Sequence, residues 1–147
     1  MKSFLFQAIL IAAMAIGPVS DGTALAATDA EVAAHEAVLD LAGAFTNDGF
    51  KLRDGNFAGT LKMGESAVVE VNLYAGNQYW FSVATSDPKT TVTIGVYDEN
   101  GKLVQTDPYS DPHRAAAGYS PDASGPYYVR IANAGAPATY CLIYSYK

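Results

Sequence analysis

The chain has 147 residues, a formal net charge of −6 and an isoelectric point near 4.6. Half of its residues are hydrophobic and 16% are charged, which excludes wholesale disorder and leaves room for one ordinary domain. The acidic balance lacks the basic stripe that nucleic-acid binding needs. A single cysteine and two histidines exclude a disulfide framework and a multi-cysteine or histidine-rich metal centre.

Lys2 is followed by an apolar run from Phe4 to Val19 that only Gln7 interrupts. The run is shorter than the roughly 20 residues of a membrane-spanning helix. Gly17-Pro18 ends it, and Ala24-Leu25-Ala26 offers small residues at the −3 and −1 positions of a signal-peptidase site. Residues 1–26 are therefore expected to be a cleaved signal peptide. The protein is then periplasmic or secreted, and its mature chain has no membrane span.

Residues 27–48 are expected to form an N-terminal helix and linker. Thr28 and Glu31 have the spacing of a capping box. Val38, Leu39, Leu41, Ala42 and Phe45 fall on one broad arc at helical spacing, with Asp29, Glu36 and Asp40 opposite. The pattern predicts an amphipathic helix to about Phe45, laid over an end or an edge of a larger unit. His35 falls on its apolar side, where no second metal ligand accompanies it.

From residue 49 to 147 the pattern changes to strands separated by turn residues. Ala67 to Leu73 alternates, with Val69, Val71 and Leu73 inward. Gln78 to Thr85 carries Tyr79, Phe81 and Val83 on one face and Trp80 opposite, so both faces are apolar. Thr91 to Tyr97 places Val92, Ile94 and Val96 inward. Asp98-Glu99-Asn100-Gly101 is a tight connection into a returning strand, Lys102 to Thr106. A polar loop from Asp107 to Arg114 follows, then short strands at Ala115 to Tyr119, around Tyr127 to Ile131, and at Thr139 to Tyr146. Cys141 shares a face with Ile143 and is expected to be a small buried hydrophobe. Many short strands without intervening helices predict an antiparallel, mostly β sandwich.

Gly59-Thr60-Leu61, Ala75-Gly76-Asn77-Gln78-Tyr79-Trp80-Phe81, the hairpin from Ile94 to Val104 and Ser124-Gly125-Pro126-Tyr127-Tyr128-Val129-Arg130-Ile131 together resemble the bacterial pre-peptidase C-terminal domain. The resemblance covers roughly residues 56–146. It implies a jelly-roll-like β-sandwich of exported bacterial proteins, non-catalytic, which binds protein or polysaccharide and in some cases calcium. Apart from the expected leader, only the short helix stands before the module in these 147 residues, so a stand-alone exported protein is expected rather than a module appended to a peptidase.

No nucleophile elbow, zinc-protease helix or phosphate-binding glycine loop is present in the sequence. A nucleophile and base improvised from Ser110 and His113 is outweighed by a solvated loop histidine, so the protein is not expected to be an enzyme. Two readings remain: a binding or accessory module for an envelope or extracellular protein or polysaccharide, and a structural or stress-related envelope protein without a small ligand. All ten tyrosines lie after residue 70. Trp80, Tyr109 and Tyr119 are the candidate stacking residues, and their exposure in one row would favour the binding module. Calcium is the one cofactor for which residues can be named. Asp98, Glu99 and Asn100 in one connection, with Asp107 and Asp111 in the next loop, could supply oxygens. The competing role for the same residues is turn formation.

Overall fold

The structure, a computed structural model, describes residues 26–147. The expected leader therefore lies, but for its last residue, outside the described residues. Helix α1 spans Asp29–Asn47, and the capping box forms as expected: the Thr28 hydroxyl accepts from the Glu31 N–H at 3.2 Å, and the Glu31 carboxylate accepts from the Thr28 N–H at 2.7 Å. No helix among the described residues is long and apolar enough to cross a membrane.

Nine strands follow among the described residues: β1 (Lys51–Leu52), β2 (Phe57–Leu61), β3 (Ser66–Leu73), β4 (Tyr79–Thr85), β5 (Val92–Tyr97), β6 (Asp107–Asp111), β7 (Arg114–Tyr119), β8 (Gly125–Asn133) and β9 (Ala138–Tyr146). They form two antiparallel sheets. The larger has the order β1-β9-β4-β7-β6, with β2 also paired to β9, and the smaller has the order β3-β8-β5. The described residues thus form a mostly β, antiparallel sandwich with one helix, as the alternation pattern predicts.

Register explains the core. Phe81 pairs with Tyr144 on one side and Ala117 on the other, and Val83 with Leu142 and Ala115. Directly paired residues share a face, so these side chains all point toward the smaller sheet. There they meet Val71, Leu73, Val92, Val96, Val129 and Ile131 in the main core. Asn133 closes one end of this core. Its buried amide donates to the Leu61 and Ala136 carbonyls at 3.0 and 2.9 Å, which satisfies groups that burial would otherwise leave unpaired.

The opposite face of β4 and β9 carries Ala84, Cys141 and Ile143, which α1 covers with Ala34, Val38 and Ala42. The helix therefore lies on the face of the larger sheet, not at an end or an edge. The reason is that β4 and β9 are apolar on both faces, and an uncovered second face would leave that area in water. Cys141 is buried at this contact, and burial pushes its thiol up to about 11, so it stays protonated and packs as a hydrophobe.

Two further expectations change. Lys102 to Thr106 is not a strand: Leu103 makes one bridge to Tyr97, and the chain crosses to the other sheet. Asp107 to Asp111, expected as loop, is the edge strand β6 paired with β7. Pro108 is tolerable there because an edge strand has one unpaired side, where a missing N–H breaks no ladder.

Candidate binding cleft

The expected stacking residues are not brought into one row. Trp80 and Tyr109 project from the outer, helix-bearing face of the larger sheet, whereas Tyr119 pairs with Tyr79 and shares the inward face. The Trp80 ring is half-buried and stacks under Phe45 of α1, with centroids 4.2 Å apart and planes 10° from parallel. Tyr119 meets Tyr127 edge-on at 5.5 Å, and burial pushes its phenol up to about 12. Tyr109 is 41% exposed, but its hydroxyl donates to Asp111 at 3.2 Å.

The expected calcium residues are likewise divided. The Asp98 carboxylate accepts the N–H groups of Asn100 and Lys102, each at 2.9 Å, and so shapes its own turn. Asp107 and Asp111 stand at opposite ends of β6, about 13 Å apart along an extended strand. Asp111 belongs to a different cluster, in which Arg114 bridges it to Asp40 of α1 at 2.7 and 2.9 Å. His113 lies 3.6 Å from Asp111 in the same hairpin. Among the described residues, no group of three or more His, Cys, Asp or Glu side chains is close enough to hold a metal ion.

The feature that does gather chemistry is a cleft at the open edge of the sandwich. Its origin is a break in one edge. β1 and β2 both run along β9, but residues 53–56 between them form a kink opposite Tyr144. The Arg53 N–H still donates to the Tyr144 carbonyl at 3.0 Å, and Gly55, at φ +90°, supplies a backbone turn that other residues rarely adopt. The kink holds the edge away from the end of β3 and leaves two adjoining cavities between the sheets. The larger, about 320 Å³, lies between residues 53–57 and the β3 residues Glu70 to Asn72. The smaller, about 260 Å³, is lined by Tyr74, Tyr79, Tyr144 and Tyr146 together with Arg53, Asn72 and Asn77.

The tyrosines of the smaller cavity are positioned in different ways. Tyr79 and Tyr144 are anchored in β4 and β9, with ring centroids 6.2 and 5.4 Å from that of Phe81 and 6.4 Å from each other. The Tyr79 hydroxyl accepts from the Tyr74 N–H at 2.9 Å and from the Asn77 amide at 3.2 Å, which fixes the β3–β4 turn over the cavity. Tyr74, on that turn, is 61% exposed and presents its ring to solvent. The Arg53 guanidinium carbon sits 5.3 Å from the centre of the Tyr144 ring, within cation–π range. Burial pushes the Tyr144 phenol up, and the nearby Arg53 charge opposes that rise.

Arg53, Asn72, Tyr74, Tyr144 and Tyr146 did not stand out in the sequence. The usable signal was the clustering of tyrosines at alternate positions in the last strand, Tyr140 to Tyr146. Their convergence with the β3–β4 turn depends on sheet pairing that no local pattern contains. No family model matches the chain, and no curated protein matches it in sequence.

Proposed function

We propose that this protein is an exported, non-catalytic binding module whose partner is a glycan. The observation that carries the reading is the tyrosine-walled cleft, which combines flat apolar rings with amide and guanidinium groups at one opening. Sugar rings present an apolar face and a rim of hydroxyls, so they suit a concave site of aromatic walls and a few directional polar groups. The pre-peptidase C-terminal resemblance and the leader-like N-terminus support the same reading. Among the described residues, the titratable groups of the cleft are tyrosines, Arg53 and, in the larger cavity, Asp54 and Glu70, which make no nucleophile–base pair.

Calorimetric titration of the purified protein with a panel of short oligosaccharides tests this. Binding by at least one, lost in Tyr74→Ala and Tyr146→Ala while the melting temperature holds, supports the module. Binding that both variants retain would place the site elsewhere.

A further inference from the structure

The two halves of the cleft differ in charge. Among the described residues, Arg53 is the one charged residue lining the smaller cavity, whereas Asp54 and Glu70 join it in the larger one. Arg53 makes no salt bridge among the described residues, whereas Arg114 pairs with both Asp40 and Asp111. Its guanidinium sits at the Tyr144 ring and gives one hydrogen bond to the Tyr144 hydroxyl, and no carboxylate pairs with its remaining donors among the described residues.

The hydroxyls of two lining tyrosines point to the same chemistry. Tyr79 already accepts two hydrogen bonds, from Tyr74 and Asn77, so what it has left to offer is its O–H proton. No acceptor for that proton occurs among the hydrogen bonds of the described residues. Tyr144 brings a second phenolic O–H to the same cavity. A site with a guanidinium and two phenolic donors, and no carboxylate, fits a ligand group that only accepts and carries negative charge.

Resting on the glycan reading above, we propose that the smaller cavity takes the carboxylate of a terminal uronic-acid residue, paired with Arg53 and stacked among the tyrosines. The next sugar then lies in the larger cavity, where Asp54 and Glu70 accept hydroxyl protons and repel a second carboxylate. The ligand is therefore an acidic cap on a neutral chain. A continuous polyuronate is disfavoured, which agrees with the overall charge of −6.

The test is calorimetry on the purified protein with four probes: an oligosaccharide capped by glucuronic acid, the same oligosaccharide after carboxyl reduction, an oligomer made wholly of uronic acid, and a short peptide with a free carboxyl terminus. The capped probe should bind about 10- to 100-fold more tightly than its reduced form, as expected for a charge-assisted pair. Arg53→Gln should level the two, and Arg53→Lys should restore part of the difference. The all-uronate oligomer should bind no better than the capped probe. Equal affinity for the capped and reduced probes overturns the carboxylate inference and leaves the glycan reading standing, and this comparison needs no variant. Tighter binding of the all-uronate oligomer overturns the assignment of the larger cavity. If no sugar binds, or if a peptide with a free carboxyl terminus binds in their place, both readings fall.

Discussion

Trp80 and Gly118 are cross-strand partners on the outer face of the larger sheet, and the indole lies flat over the space where a Gly118 side chain would stand. A Cβ added there would meet the six-membered ring at 2.9 Å. Phe45 closes the stack from the helix side. One glycine, one indole and one helical phenylalanine thus couple α1 to the sheet. The chain has one tryptophan, so its fluorescence reports this contact alone.

Phe45→Ala should shift the emission of Trp80 to longer wavelength and cost about 2 kcal/mol. That is less than the roughly 3–5 kcal/mol of a fully enclosed phenylalanine, because this ring is half-buried. Urea unfolding followed by fluorescence and by circular dichroism measures both effects. An unchanged emission maximum would mean that the helix does not cover Trp80 in solution.

Gly118→Ala should cost about 1–3 kcal/mol by overpacking. The cost should shrink in the double variant with Phe45→Ala, because the indole can then lift. A double-mutant cycle on melting free energies checks this, with less-than-additive losses expected for residues that share a contact.

Acid stability should report the bridge between α1 and the β6–β7 hairpin. Burial by itself pushes the Asp111 carboxyl upward, but the bonds from Arg114, with Tyr109 and His113 adding to them, hold it below its ordinary value near 3.8. A carboxylate depressed in the folded state stabilises the fold above its unfolded value, and the contribution disappears as pH falls through the folded value. Asp111→Asn should therefore lower the melting temperature at neutral pH, and the gap to the wild type should close below about pH 4. A gap that stays constant from pH 7 to pH 2 would remove this carboxylate from the account.

Calcium should not raise the melting temperature. A site occupied at 100 times its dissociation constant would add about 2.7 kcal/mol, a visible shift for a domain of this size. Asp98 is committed to its own turn and Asp111 to Arg114, which leaves Glu99, Asn100 and Asp107 of the expected set. Melting in excess chelator and in millimolar calcium should give coincident transitions.

Intact-mass measurement on protein from the native host checks the leader. The expected species begins at Ala27, and a species retaining Met1 to Ala26 would overturn the reading of Ala24 and Ala26 as a cleavage site.

Local chemistry determined much of this protein from its sequence alone. Thr28 and Glu31 set the start of the helix because capping is settled within four residues. Val69, Val71 and Leu73, like Val92 and Val96, reveal their inward face because a strand alternates at every residue. The two apolar faces of β4 were legible too, with Trp80 opposite Tyr79 and Phe81. Which element would cover the second face was not, because helix docking depends on where the whole sheet presents its apolar area. Asp107 to Asp111 reads as loop because edge pairing with β7 is a tertiary contact that overrides a polar, proline-bearing sequence. The cleft lies furthest from local pattern. Arg53, Tyr74 and Tyr144 are separated by up to 91 positions in the chain. They meet because the pairing of β1, β2 and β4 with β9 and the kink at residues 53–56 bring three distant segments to one edge. Strand pairing at long range, not any property of those residues in sequence, decided where they would stand.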